Sequence, residues 1–297
     1  MRKISFILIC FIAASISSYA QQLQSSAFYE ANWITQNPSF SGISEKNFVG
    51  INYRNQWASL NAGPKTLTGY GSFALPNQKM GVSGFVYNDV TGPTSRSGLS
   101  ISVAKYIAFD NGAKLSFGIE NRFQQFLLNT AKLTEYLGAD PAIGNANKKV
   151  NYDAGFGVSY SSKKFQIGAS VAQILQSRFD NYVGNLSRSQ EARLYRHYYV
   201  NANYQFKLDE NVTMHPNFMM IYFPNAPVEY NLGTRFKYQD LCWLGLGMSF
   251  SGNANFAFGL NATKAIRVDY AFDFYNNPNN NFNVNAHELM LHFNLSK

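Results

Sequence analysis

From residue 47 onward the chain alternates apolar residues with polar or small ones, segment after segment. A period of two marks a strand whose two faces meet unlike surroundings. Leu115, Phe117 and Ile119 fall on one parity, and Ser116, Gly118, Glu120 and Arg122 on the other. The same division separates Ile266, Val268, Tyr270, Phe272 and Phe274 from Arg267, Asp269, Ala271 and Asp273. It returns at Leu289, Leu291, Phe293 and Leu295 against Glu288, Met290, His292 and Asn294. Fourteen such segments are centred near residues 52, 70, 84, 102, 118, 156, 169, 201, 217, 233, 246, 258, 270 and 290, the one near 70 having the weakest alternation. Each is about ten residues long, the length a tilted strand needs to cross a bilayer. The expectation is all-β: a transmembrane, antiparallel, up-and-down barrel of about fourteen strands over residues 47–297.

The connections carry an independent signal. Every second one is tight, at 76–79, 110–112, 161–164, 207–211, 238–240 and 264. The others are mostly longer, at 58–64, 89–97, 127–151, 175–195, 223–227 and 276–283, with 251–253 a short exception. Outer-membrane barrels alternate short periplasmic turns with longer outer loops. A soluble sandwich has no reason to do so. Both chain ends then lie on the periplasmic side and the strand number is even.

Periodicity alone leaves open which parity faces outward, and a soluble barrel would hide its apolar side. Composition decides. Charged residues are 14% of the chain, against roughly 25% in ordinary soluble domains, while aromatics reach 16%, with 19 Tyr and 25 Phe. Fourteen strands enclose too wide a space to fill with apolar side chains. Tyr, Phe and Trp near the strand ends of the apolar parity suit the girdles of a membrane barrel. The apolar parity is therefore expected to face lipid. A helical membrane protein, with runs of about 18 apolar residues, is excluded, and so are a disordered chain and a two-cysteine disulfide scaffold.

The first twenty residues read as a cleaved signal peptide. Arg2 and Lys3 precede an apolar stretch from Ile4 to Ala14, and Ser18-Tyr19-Ala20 has the small-x-small form of a cleavage site. A lipoprotein reading through Cys10 fails because Ile9 precedes it. Cleavage leaves Cys242 as the sole cysteine and lowers the formal charge from +8 to +6. Residues 21–46 lack the strand period yet carry Phe28, Tyr29, Trp33, Ile34 and Phe40, too many apolar groups for a solvated tail. They are expected to lie on the periplasmic side or to enter the lumen. Loops 127–151 and 175–195 exceed twenty residues, and loops of that size are usually functional or fold inward. The channel is therefore expected to be occluded.

No constellation for catalysis, a metal or a cofactor emerges. His287 and His292 are five apart, an odd spacing that puts them on opposite faces of a strand. His197 and His215 stand alone. Gly69-Tyr70-Gly71 lacks the third glycine and the helix of a dinucleotide loop, and no G-x-S-x-G elbow occurs. Strand glycines are expected to relieve crowding where a wide sheet curls. Arg54, Glu120, Arg122, Glu229, Arg235, Arg267, Asp269, Asp273 and Glu288 share the inward parity and are expected to form a lumen network. Basic density is too low for nucleic-acid binding. By elimination, function is expected at a protein interface on the outer rim. Lys132, Glu135, Tyr136, Lys148 and Lys149 stand in one long loop, and Arg178, Phe179, Tyr182, Arg188, Arg193 and Tyr195 in the other. Tyr and Arg are enriched where interfaces concentrate their binding energy.

A family resemblance also runs along the chain. Asn37-Pro38-Ser39-Phe40-Ser41-Gly42, Tyr53-Arg54-Asn55-Gln56-Trp57 and Gly63-Pro64-Lys65-Thr66 resemble the opening signature of the PorP/SprF proteins of type IX secretion in Bacteroidota. The likeness continues through Tyr87-Asn88-Asp89, Gly92-Pro93, Ser95-Arg96-Ser97-Gly98-Leu99-Ser100, Lys114-Leu115-Ser116-Phe117-Gly118 and Asp140-Pro141-Ala142-Ile143 to the His287-Glu288 strand. The resemblance implies an outer-membrane barrel that helps secrete or anchor large cell-surface proteins, such as gliding adhesins, by binding their C-terminal domains. Its partners would be that cargo, other secretion components and the lipid bilayer. It implies no catalytic residues and no cofactor, and it covers both dedicated cargo partners and a core component of the machine. A diffusion porin and a barrel enzyme remain the alternatives.

Overall fold

In the computed structural model, residues 26–44, 47–137, 147–178, 193–224, 226–250, 252–275 and 285–295 are described. The signal peptide expected at 1–20 lies outside them.

The alternating segments form fifteen strands: β1 (Phe48–Gln56), β2 (Lys65–Leu75), β3 (Met80–Thr91), β4 (Thr94–Ala108), β5 (Lys114–Leu128), β6 (Asn147–Ser161), β7 (Phe165–Ala172), β8 (His197–Tyr204), β9 (Phe206–Lys207), β10 (Val212–Tyr222), β11 (Glu229–Tyr238), β12 (Cys242–Ser249), β13 (Asn253–Asn261), β14 (Ile266–Tyr275) and β15 (Ala286–Asn294). β8 and β9 follow each other along the same edge of β10, so the wall has fourteen staves. Each stave pairs antiparallel with its neighbours in chain order. β1 closes the ring against β15, from Phe48 opposite Asn294 to Gln56 opposite Ala286. Closure leaves no open edge between the first and last staves, which is what lets a sheet cross a bilayer.

Parity then sorts the side chains. Phe117, Ile119, Leu244, Leu246, Phe258 and Leu260 are exposed, whereas Ser100, Ser116, Glu120, Asp269 and Glu288 are buried. Exposed rings gather at two levels. Phe73, Phe109, Phe206 and Tyr238 stand near the short-turn end, and Tyr152, Tyr198, Tyr222, Tyr230 and Phe274 near the other. These are the interfacial girdles of a membrane barrel, built from Tyr and Phe. Of the three tryptophans, Trp33 and Trp243 do not share in them as expected, because both are buried inside.

Two outer connections differ from expectation. Residues 89–97 are no loop: β3 and β4 pair up to Thr91 opposite Thr94 and turn through Gly92-Pro93. Of 127–151, both ends belong to β5 and β6, and helix α1 (Thr130–Leu137) follows β5. Strands of 15 residues at ~3.3 Å per residue run to about 50 Å, well beyond the ~25 Å apolar band even when tilted. One side of the wall thus rises above the membrane on the outer side.

The lipid face supports a depth test. Leu246 lies mid-strand and Leu260 beside the periplasmic turn, and both are exposed. Leu246→Arg is expected to cost about 2–4 kcal/mol and Leu260→Arg about 0–1 kcal/mol, read as shifts in equilibrium unfolding in lipid vesicles. Equal costs would mean that these positions do not differ in membrane depth.

Candidate functional site: the plugged lumen and its outer cavity

Residues 26–44 lie inside the barrel. Phe28 is 0% exposed and packs edge-on against Trp243 of β12, with ring centroids 6.2 Å apart. Trp33, Ile34, Phe40 and Ile43 are buried beside it. Apolar side chains in a polar lumen gain by collecting into one cluster, and this segment brings enough of them to do so. Of the two placements open to the sequence, the described part takes the lumen.

The signature Asn37-Pro38-Ser39-Phe40-Ser41-Gly42 docks the segment. Pro38 opens a short 3-10 turn, and the Asn37 side chain accepts from the Ser39 amide at 3.0 Å. The Asn37 Nδ2 donates to the carbonyls of Val158 and Ala169, at 3.4 and 3.3 Å, on β6 and β7. Ser41 meets Ser83 at 2.7 Å, and the Gly42 amide donates to Ser72 at 2.9 Å. Inward glycines make room for this backbone. A Cβ on Gly118 would meet Pro38 backbone at 2.4 Å, and one on Gly157 would meet Asn37 at 2.0 Å. At these two positions the missing Cβ makes room for the plug, where the sequence suggested relief of crowding in a curling sheet. Gly118→Ala is therefore expected to destabilise the protein by about 1–3 kcal/mol and to loosen the plug. Faster protease cutting between 26 and 44 in detergent would register the loosening; unchanged cutting would refute it.

The inward charges fall into separate groups. Arg54 on β1 pairs with Asp273 and, at 2.8 Å, with Glu288. Glu120 and Arg122 pair within β5, and Arg267 pairs with Asp269 at 2.8 Å within β14. Glu229 accepts from Asn231. Arg235 pairs with Glu30 of the plug and lies 3.9 Å over the Trp243 ring. Sequence reasoning missed Glu30, since nothing in an aperiodic segment marks a residue as a lumen partner. Tyr29 donates to Asn217, and Asn217 donates to Glu30 at 2.7 Å. Burial pushes the Tyr29 phenol above its ordinary pKa, with Glu30 adding to the effect, so it stays a neutral donor. Glu288 accepts the Ala27 amide at 2.8 Å. The plug is thus tied to β15, β11 and β10 by charge and to β6 and β7 by its backbone motif.

Elsewhere the histidines separate as their spacing requires. His287 faces outward and meets Tyr270 at 2.7 Å, while His292 stacks on Phe48 at 4.8 Å. His197 lies beside Tyr199 and Phe223, and His215 meets Thr213 at 3.0 Å. Among the described residues no three His, Cys, Asp or Glu side chains are grouped to hold a metal ion. Of the rim residues, Phe179, Tyr182 and Arg188 lie outside the described part. Lys132 and Glu135 are exposed on α1, and Arg178 and Arg193 bridge the base of the 175–195 loop.

Among the cavities that border the plug, one on the outer side and one on the periplasmic side share no lining residue. The outer one, about 120 Å³, includes Asn52, Arg54, Arg96, Arg122 and Gln173. The periplasmic one, about 260 Å³, includes Lys237, Asp240, Cys242 and Arg267. Residues 26–44 thus occupy the lumen between these two cavities. The family model of type IX secretion system membrane proteins PorP/SprF matches residues 17–293. The chain belongs to the PorP/SprF family. It is accordingly an outer-membrane barrel and a membrane component of type IX secretion. Among solved structures, the outer membrane protein Omp33 of Acinetobacter baumannii is similar at a TM-score of 0.50 and 9% identity, over 84% of this chain and 98% of that one. A FadL homologue of Pseudomonas aeruginosa gives 0.48 and 10%, over 88% and 93%. At such identities Omp33 speaks for the barrel fold alone. No curated protein matches the chain.

Proposed function

We propose that this PorP/SprF barrel holds a secreted cell-surface protein, such as a gliding adhesin, at the outer face of the membrane by binding its C-terminal domain. It does so without catalysis, cofactor or nucleic acid. The observation that carries this reading is the plug: a barrel whose lumen is filled by its own residues 26–44 offers a surface, not a passage. That weighs against a general diffusion porin. The strands that rise on one side, with α1 and the base of the 175–195 loop, supply charge of both signs and rings on that surface. Such residues suit a protein interface. The same surface serves a dedicated partner of one cargo or a core component of the machine.

The test isolates tagged barrel from the outer membrane in mild detergent and identifies co-purifying secreted protein. Deleting 175–195 is expected to reduce the recovered cargo at least about tenfold, equivalent to ~1.4 kcal/mol. Neutralising the periplasmic-half pair with Arg267→Gln and Asp269→Asn is expected to leave recovery unchanged. Full recovery after the loop deletion, with loss in the paired variant, would overturn the outer-face reading.

A further inference from the structure

We infer that the outer cavity receives the carboxylate end of an extended polypeptide, a proposal that rests on the reading above and gives the cargo's chain end a seat beneath the rim. The cavity holds about 120 Å³. That is space for a chain end and not for a folded module.

Its lining selects the guest. Five amide side chains border this one space: Asn32 and Gln36 from the plug, Asn52 from β1, Gln124 from β5, and Gln173 just beyond β7. Each has a buried polar atom with no hydrogen-bond partner in the protein. Buried polar atoms nearly always have partners, so five around one cavity describe a surface made for a polar occupant. Four of these atoms are acceptor oxygens, on Asn32, Gln36, Asn52 and Gln173, and one is a donor, Nε2 of Gln124, a set that suits the N–H groups of an extended main chain.

Charge adds direction. Three guanidinium groups line the cavity. Arg54 is committed to Asp273 and Glu288, and Arg122 to Glu120. Arg96 is exposed and makes no ion pair among the described residues. A free guanidinium beside a set of amides matches a terminal carboxylate, to which Arg binds through two parallel hydrogen bonds. A carbohydrate would call for an open ring face. Here Arg122 covers Phe85 at 5.1 Å, and His197 lies between Tyr199 and Phe223. The plug fills the lumen below, so the guest enters from the outer side. A protein delivered to that side brings one C-terminal carboxylate per chain.

The experiment uses the full barrel in detergent and N-terminally fluorescent tetraglycine and tetraalanine, each as free acid and as amide, read by anisotropy. The free acids are expected to bind saturably below about 1 mM and the amides about tenfold more weakly. Arg96→Gln, a change at an exposed side chain, is expected to bring the acids down to the level of the amides. Absence of saturable binding, equal binding of acid and amide, or unchanged discrimination in Arg96→Gln would each overturn the proposal. So would displacement of the acids by a neutral oligosaccharide at equal concentration. Cargo that still co-purifies with Arg96→Gln while the peptides fail to bind would remove the carboxylate seat alone, whereas loss of cargo on deleting 175–195 tests the broader reading.

Discussion

Arg54→Leu is expected to destabilise the barrel by about 3–5 kcal/mol, the cost of breaking a buried ion pair on one side. Arg54 is 5% exposed and sits opposite Glu288 in the β1–β15 register, where the ring closes. Its guanidinium serves two carboxylates on two strands, Asp273 and Glu288. The two would not suffer equally. Glu288 would keep the Ala27 amide at 2.8 Å and the Asn52 amide at 2.6 Å. Asp273 already has one oxygen without a partner and would lose the guanidinium from the other. Asp273→Asn in the Arg54→Leu background is therefore expected to recover part of the loss, and Glu288→Gln less. Urea titrations of refolded protein in vesicles measure the differences. A single Arg54→Leu change within about 0.5 kcal/mol of the parent, the range of ordinary surface substitutions, would show that the network does not hold the seam.

How much of this was legible depends on what each face of a strand touches. Where one side meets lipid and the other a polar lumen, as at Phe117 and Ile119 against Ser116 and Glu120, the alternation is sharp and gives the strand, its face and its register. In β2 the contrast weakens because Tyr70 points inward, between the outward Gly69 and Gly71. At 89–97 it vanishes for another reason. The tips of β3 and β4 stand above the membrane, both faces are wet, and Asp89 to Ser97 reads as a loop although it is largely paired strand. The candidate site was less legible. Parity found Arg54, Asp273 and Glu288 as lumen residues, but cross-strand pairing decides who meets whom, and register joins residues more than two hundred positions apart. The plug gave no periodic signal at all. Its one sequence mark was excess apolar content, which cannot distinguish a lumen from a periplasmic groove. The inward glycines that receive it became interpretable only with Pro38 and Asn37 seated against them.

The unaltered barrel is expected to conduct poorly in planar bilayers, and deleting residues 26–44 is expected to give resolved single-channel steps. A fourteen-stave ring encloses more space than its own inward side chains can fill. Here many of those side chains are small, with Ser72, Ser83, Ser100, Ser102, Ser116 and Ser159 all buried. What fills the remainder is the plug, whose Phe28, Trp33, Ile34 and Phe40 form much of the apolar core. Each such side chain contributes about 1.5–3 kcal/mol by its burial, so deletion also lowers stability, and the lumen left behind is polar and able to fill with water. Arg235 would lose Glu30, and Glu288 would lose the Ala27 amide. Stability and conductance can be read apart. The closed ring of backbone hydrogen bonds does not involve the plug, so the variant is expected to insert and to keep its gel mobility shift on heating. Glu30→Gln, which weakens one tether and leaves the apolar cluster in place, is expected to give only brief openings. Large, steady conductance from the unaltered protein would mean that the plug does not close the pore and would reopen the porin reading. A correctly inserted deletion variant that stays silent would place the barrier in the outer loops instead.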